Sequence, residues 1–393
     1  MRMFPLYALT FLSLTSACGR GPGSSTQKER WDARNDPGLM ESMVEQYRYV
    51  QEFDQLPLEG TLEKIPWTGD YWPTFKGGIT YRWNDEASEE LDRYAYDLIP
   101  FSQLNESQIP ILSAAEKFDL YLGREDYPFT RWERQRTEIL KTVERLDEYE
   151  KGYTIPTWEG LCHAWAPAAL LFDEPNPVVM TGKTGQKIAF GSGDIKALLV
   201  YFLHDTKADT NFLGTRCNVD IKDLVKKYRN HEISYRYYQD QLAACSNVNA
   251  GAFHVVLANQ IGRLKEGFIA DVDKGPQVWN HPIFEYQSEI KKVKDGATKG
   301  AAPGTVKEIE VMTQMTYIVE YQSSWDRMDD IDASMTRNYH YRLEIDNNGK
   351  IIGGAWIGQD HPDFLWKQSK PAFEGLYKAV EEIYEASLRG AES

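Results

Sequence analysis

Cys162 has the strongest chemical context of any residue in the chain. It lies in the stretch from Trp158 to Ala169 (WEGLCHAWAPAA), where Gly160 permits close backbone approach and an alanine-rich run can start a helix. Amides at a helix N-terminus favour a thiolate and can stabilise an oxyanion. Pro167 restricts this helix, which is expected to begin near Ala166 or to be kinked there. The pattern predicts a cysteine nucleophile.

His254 is the predicted base for this nucleophile. A free cysteine is only slightly ionised at neutral pH, so its thiol needs a proton acceptor. His163 adjoins Cys162, but neighbouring side chains on a helix or strand point apart, which indicates a structural role. His254 lies in the apolar run from Ala252 to Ala258 (AFHVVLA), which predicts a buried strand.

A third group is needed to orient the imidazole, and Asp271 is the first candidate. It lies between apolar β-forming residues in FIADVD, which predicts a strand that returns beside His254. Asp273 and Asn280 are the alternatives for this role. The backbone amide of Cys162 and the indole of Trp158 or Trp165 are candidate oxyanion donors.

The elements that must position these residues follow an α+β order, with helices first and an antiparallel sheet later. The patterns predict helices over 132–150, 194–204 and 373–388, and strands over 312–321, 339–345 and 350–357. Asn347-Asn348-Gly349 predicts a hairpin between the last two strands. No paired metal-ligand spacing or phosphate-binding loop is visible, and no cofactor is predicted.

The other cysteines predict export. Residues 1–17 have the shape of a signal peptide, and small residues before Cys18 resemble a bacterial lipobox, although Thr15 departs from it. We expect lipid on Cys18 at the outer membrane or cell surface, with a flexible tether over 18–30. Plain cleavage after Ala17, giving a secreted or periplasmic protein, is the alternative. Cys217 and Cys245 are expected to form a disulfide, which leaves Cys162 unpaired.

Charge separates the chain into two regions. Residues 19–150 carry 27 acidic and 16 basic side chains, and residues 151–393 carry 32 and 27. This negative field repels phosphate backbones and argues against nucleic acid as a partner. We predict a mostly helical region at 31–150, which could be a regulatory or pro-segment, and a catalytic domain at 151–393.

Several segments together resemble the transglutaminase elicitor family. They are WEGLCHAWAPA (158–168), DIKALL (194–199), GTRCN (214–218), GAFHVVLANQIG (251–262), VWNHP (278–282) and GGAWIGQDHPDFL (353–365). The resemblance implies a papain-like core with a nucleophile on a helix and a base on an antiparallel sheet, and assigns its Cys-His-Asp site to Cys162, His254 and Asp271. The family's plant-recognised peptide usually has Gln where this chain has His281, so no elicitor activity is predicted.

The implied activity is acyl transfer that cross-links protein glutamine to lysine or other amines through a thioester on Cys162. A papain-like protease or amidase is the first alternative, because the same triad hydrolyses its acyl-enzyme when water reaches it. A non-enzymatic surface lipoprotein is the second, and it would require an unreactive Cys162.

Overall fold

The computed structural model describes most of the chain between residues 32 and 389. The described ranges are 32–41, 48–86, 93–140, 155–216, 220–244, 248–272, 277–328, 333–358 and 360–389. Cys18, Cys217, Cys245 and Asp273 therefore lie outside the described residues, as do the predicted signal peptide and tether.

Helices occur along the whole described chain. They are α1 (Ala114–Tyr121), α2 (Pro128–Thr137), α3 (Cys162–Leu171), α4 (Ser192–Asp205), α5 (Ile221–Arg229), α6 (Tyr235–Ala244), α7 (Ala250–Leu257) and α8 (Lys378–Arg389). A π-helical turn, Ala258–Leu264, continues α7. None of these helices is long and apolar enough to cross a membrane.

The strands form one large antiparallel sheet and a separate hairpin. They are β1 (Glu59–Thr61), β2 (Val178–Thr181), β3 (Lys187–Phe190), β4 (Thr210–Gly214), β5 (Phe268–Asp271), β6 (Asn280–Asp295), β7 (Lys307–Ile318), β8 (Ser334–Ile345), β9 (Ile351–Trp356) and β10 (Phe364–Gln368). The large sheet has the order β4-β10-β5-β6-β7-β8-β9, with β1 paired to β6, and β2 pairs with β3. Helices followed by an antiparallel sheet confirm the α+β class.

The sheet separates two hydrophobic cores, and side-chain alternation along its strands assigns each residue to one of them. On β10, Trp366 packs in the first core, together with α3 and α4. The adjacent Leu365 packs in the second core, together with α7. On β5, Ile269 belongs to the first core and Ala270 to the second. Helices α3 and α7 therefore cover opposite faces of the sheet.

The prediction for 252–258 is wrong, because these residues form helix α7 rather than a strand. Asn249 caps this helix, since its side-chain oxygen accepts the backbone N–H groups of Gly251 and Ala252. All eight residues of α7 are buried. A helix that is apolar on every side has no polar face to reveal its period, so a short apolar run of this kind resembles a buried strand.

Two further predictions need correction. The expected helix over 132–150 is interrupted, because α2 ends at Thr137 and Glu138 has a left-handed backbone, with φ +54°. Residues 141–150 of this prediction lie outside the described residues. The described residues between 32 and 113 contain mainly short 3₁₀ turns and strand β1, where helices were expected. The predicted strands on both sides of Asn347-Asn348-Gly349 are confirmed as β8 and β9, and the predicted helix over 194–204 is confirmed as α4.

The acidic N-terminal region contributes to the first core, where Phe118 of α1 and Trp165 of α3 are both fully buried. An ion pair also joins the two regions, because Lys117 Nζ lies 2.6 Å from Asp194 Oδ2 and both side chains are fully buried. Asp194 further accepts the backbone N–H of Gly191 and so completes the start of α4. The part of the N-terminal region that the structure describes is therefore packed into the same body as the sheet.

Lys117→Met should destabilise the protein by about 3–5 kcal/mol, because it leaves the Asp194 carboxylate buried without its cation. Urea unfolding followed by tryptophan fluorescence would measure this loss. Lys227→Met is the matched control, since the Lys227–Asp223 pair is half exposed, at 47% and 46%, and its removal should barely change the unfolding midpoint. Equal midpoints for both variants would contradict this account.

Candidate active site

Cys162 is the first residue of α3 and its side chain is 7% exposed. The backbone N–H of Leu161 donates to the carbonyl of Tyr71 at 2.6 Å, which holds the helix start against the segment around Tyr71. A Cβ added at Gly160 would lie 2.6 Å from the same carbonyl, so only glycine fits there. The helix includes Pro167, so the expectation that it begins near Ala166 is wrong.

The sulfur of Cys162 lies between a carbonyl and an amide. Its S–H donates to the carbonyl of Val278 at 3.7 Å, and Asn280 Nδ2 lies 3.8 Å from Sγ. Burial raises the pKa of the thiol, and the Glu320 carboxylate acts in the same direction. The backbone and side-chain amides of Asn280 and the backbone amide of His163 oppose this rise in pKa. The resting thiol is therefore protonated and needs a base, while its thiolate has amide donors around it.

The structure does not bring His254 to Cys162. His254 is fully buried on α7, in the second core, whereas Cys162 begins α3 on the other face of the sheet. Its Nδ1 lies 2.7 Å from the Tyr341 hydroxyl, its ring stacks on Phe53, and its Nε2 has no hydrogen-bond partner among the described residues. Burial lowers the pKa of His254 to about 4, so the ring is neutral.

Asp271 and Asn280 are cross-strand partners on β5 and β6. Asp271 accepts the backbone N–H of Trp279 at 3.0 Å through Oδ1, which fixes the segment that leads into Asn280. The contacts described for His254 are with Tyr341 and Phe53, whereas the contact described for the Asp271 side chain is with the backbone of Trp279. Asn280, one of the candidates for the third role, reaches Cys162 with its side-chain amide, and Asp273 lies outside the described residues.

His281 is a site residue that the sequence did not single out for catalysis. Its Nδ1 donates to the carbonyl of Ile318 at 3.0 Å and lies 3.6 Å from Glu320 Oε2. Its ring lies edge-on to Trp165, one turn after Cys162 on α3, with 6.2 Å between ring centroids. Glu320 therefore acts on the cysteine thiol and also lies beside this histidine.

Aromatic rings lie around these residues. The rings of Tyr71 and Trp279 meet edge-on, with 6.1 Å between centroids, and Tyr71 also interacts with Cys162. Trp165 is fully buried, and its indole nitrogen lies against Gly69 without a hydrogen-bond partner in the described residues. Trp158 is half-buried. The amide of Asn280, rather than either of these indoles, is the side-chain donor against the sulfur.

Comparison with known proteins identifies the family of this chain. The family model "Transglutaminase elicitor" matches residues 41–387, which is nearly the whole chain. The chain belongs to the transglutaminase elicitor family. The match includes the described acidic region from residue 48, in agreement with the core that this region shares with α3.

One solved structure is similar to this family member across most of its length. It is the GP42 transglutaminase from Phytophthora sojae, with a TM-score of 0.62 and 24% sequence identity. The match covers 87% of this chain and 95% of that one. The two proteins therefore share a fold. Comparison with curated proteins gave no match.

Two other histidine side chains in this transglutaminase elicitor family member make ring contacts of their own. His163 is exposed, and its Nε2 lies 3.0 Å from Nδ1 of His204. His361 is buried, and its ring stacks on Trp356. The described residues contain no cluster of three or more side chains that could hold a metal ion.

Proposed function

We propose that the protein is a protein-glutamine γ-glutamyltransferase that forms isopeptide bonds through a thioester on Cys162. The position of Cys162 carries this proposal, because a buried cysteine begins a helix and faces the amide of Asn280. Membership of the transglutaminase elicitor family supports the same reaction class. The finer arrangement is papain-like, with the nucleophile on helix α3 and its base on the antiparallel sheet.

His281 is the base in this proposal, in place of His254. It lies on β6, directly after the Asn280 that reaches the sulfur, and its ring lies edge-on to Trp165 of α3. The Glu320 carboxylate lies beside His281 and also acts on the Cys162 thiol. Glu320 would stabilise the imidazolium of His281 and orient the ring through its Nδ1 edge. Nε2 would then be available for proton transfer. The contacts of His254 are instead with Phe53 and Tyr341 in the other core.

The reaction proceeds in two halves. His281 takes the proton of Cys162, the thiolate attacks the γ-carboxamide carbon, and the carbonyl electrons move to oxygen. The carbonyl then reforms, the C–N bond breaks, and the imidazolium gives its proton to the departing ammonia. In the second half an amine attacks the thioester, its proton passes to His281, and the C–S bond breaks to release the isopeptide and the thiolate.

The surroundings of the thioester favour an amine over water. Tyr71 and Trp279 provide aromatic walls that exclude solvent from the sulfur. Glu320 and Asp70 give the vicinity a negative potential, which attracts the ammonium form of a lysine side chain. Burial raises the pKa of Asp70 to about 6, so this carboxyl group is mostly ionised at neutral pH. Protein glutamine and lysine side chains are therefore the proposed substrates.

Export remains part of the proposal, with the protein exported by its signal peptide and attached to a membrane only through lipid on Cys18. The proposed disulfide between Cys217 and Cys245 suits an oxidising compartment. Mass determination of the mature N-terminus and of the non-reduced Cys217 and Cys245 peptides would measure both modifications.

Incubation of the full chain with a glutamine-containing protein and a labelled primary amine should give amine-modified glutamine and an equivalent amount of ammonia. Peptide mass spectrometry would locate the modified side chains, and omission of the amine would measure hydrolysis of glutamine to glutamate. Cleavage of peptide bonds without amine incorporation would instead indicate a papain-like protease. The absence of any product, with Cys162 inert to iodoacetamide, would indicate a non-enzymatic protein.

A further inference from the structure

The side-chain amide of Asn280 lies between Trp366 and Cys162, and its orientation decides whether the amide nitrogen or the amide oxygen faces the sulfur. Trp366 donates its indole N–H to Asn280 Oδ1 at 2.8 Å. An indole nitrogen can only donate a hydrogen bond, so the amide oxygen has to face Trp366. The amide nitrogen is thereby turned towards Cys162 Sγ, at 3.8 Å.

We propose that Trp366 is a positioning residue of the acyl-transfer site, whose indole N–H fixes the Asn280 amide so that Nδ2 donates to the Cys162 thiolate and to the adjacent oxyanion. This inference rests on the proposed function and adds a residue to it. Trp366 itself does not touch the sulfur in this arrangement; it acts through Asn280.

Both members of this contact are held rigidly. Trp366 lies on β10, between β4 and β5, is 5% exposed, and stacks on Phe212 with 5.8 Å between centroids. Asn280 is 4% exposed, and its backbone pairs with Asp271 on the neighbouring strand. Because both residues belong to one sheet, the donor reaches the amide oxygen without a mobile loop. Such preorganisation makes a donor effective against charge that develops during reaction.

Loss of the indole N–H would free the amide to turn over. Asn280 Oδ1 would then face the sulfur, and an oxygen lone pair repels both a thiolate and an oxyanion. During thiolate attack the carbonyl electrons move to the substrate oxygen, and they return when the C–N bond breaks and ammonia leaves. With its nitrogen facing the sulfur, the Asn280 amide stabilises the negative charge on the substrate oxygen between these two steps. Removal of one such donor typically lowers the rate about 10²–10³-fold.

Trp366→Phe keeps a ring in this position and removes the N–H, so it is the direct test. We expect kcat for amine incorporation to fall about 10–100-fold, with less than about 3-fold change in KM for the glutamine substrate. The pH midpoint for alkylation of Cys162 by iodoacetamide should move to higher pH, because the thiolate loses its oriented donor. In an Asn280→Ala background, Trp366→Phe should have no further effect on either quantity.

Trp356→Phe is the matched control. Trp356 lies on β9 against the second core and donates its indole N–H to the carbonyl of Val248 at 2.8 Å, so it has the same kind of bond without Asn280. This variant should leave kcat and the alkylation midpoint unchanged. An equal effect of both Trp→Phe changes would show that a tryptophan hydrogen bond matters only for stability and would overturn the proposal.

Asn280→Asp supplies a second test if Trp366→Phe does not fold. Its carboxylate can still accept from Trp366 but presents an oxygen to Sγ, so the alkylation midpoint should again rise. An unchanged midpoint in folded Asn280→Asp would show that the amide does not act on the sulfur, and it would overturn the positioning role. Alkylation needs no glutamine substrate, so this readout tests Trp366 even if the protein fails to incorporate amines. Failure of the proposed function and failure of this inference are therefore distinguishable.

Discussion

Cys162→Ala is expected to abolish amine incorporation, with kcat/KM falling at least about 10⁴-fold. Every step of the proposed reaction passes through the Cys162 thioester, so no other described group can replace the sulfur. Cys162 is the free cysteine of the described residues. Initial rates of labelled-amine incorporation, measured at equal concentrations of folded protein, would give the ratio between the variant and the parent chain.

The fold should survive this change. The hydrogen-bond contacts of the thiol are with the Val278 carbonyl and the Asn280 amide, so alanine removes one weak donor and leaves a small gap. We expect a loss of about 1 kcal/mol, which circular dichroism during thermal unfolding would detect. Iodoacetamide should modify Cys162 in the parent chain and block activity in proportion. Full activity in the alanine variant would place the nucleophile elsewhere.

The context that makes Cys162 the proposed nucleophile can be recognised in the sequence because its signals are local. Gly160, Cys162 and the alanine-rich run are consecutive, and a helix N-terminus depends on such neighbours. The same locality explains the success of the hairpin at Asn347-Asn348-Gly349, where turn geometry is set by the turn residues themselves. Features that depend only on neighbouring residues can be predicted from the sequence alone.

The sequence names Asn280 only as one alternative and does not decide which group lies against Cys162. Asn280 reaches Cys162 because β5 and β6 pair beside α3, and His281 meets Glu320 because β6 and β7 are neighbours. Strand register over such separations is a property of the whole sheet. The apolar run around His254 predicts a strand, although a buried helix has the same composition. The run forms α7 instead, and α7 lies on the other face of the sheet from Cys162.

The proposed positioning role of Trp366 could not be predicted from the sequence either. In the sequence it directly follows the segment ending at Leu365 that carries the family resemblance. Its importance depends on a hydrogen bond to Asn280, 86 positions away in the chain. A tryptophan in an apolar strand predicts core packing, and Trp366 does pack in the first core. Only the three-dimensional structure reveals what its indole N–H contacts.

His281→Gln should reduce kcat/KM about 10²–10⁴-fold, because it removes the proposed general base while it keeps a polar side chain of similar size. Gln is also the residue that the family usually has at this position, so the substitution asks directly whether this chain depends on its own histidine. Initial rates of amine incorporation by the variant and the parent chain, measured under the same conditions, would give this ratio.

His254→Gln is the matched control, and the two histidines should respond in opposite ways. His254 packs between Phe53 and Tyr341 in the second core, so its replacement should cost about 1–3 kcal/mol of unfolding free energy. Its effect on kcat/KM of the folded protein should stay within about 3-fold, because no contact of His254 leads to Cys162.

His281 is 6% exposed near the sheet end, and Gln can still donate to the Ile318 carbonyl, so His281→Gln should change stability less than activity. The opposite result would contradict this assignment: loss of activity in stably folded His254→Gln, with activity retained in His281→Gln. The base would then lie on α7, and the protein would need a conformation in which residues from both faces of the sheet meet.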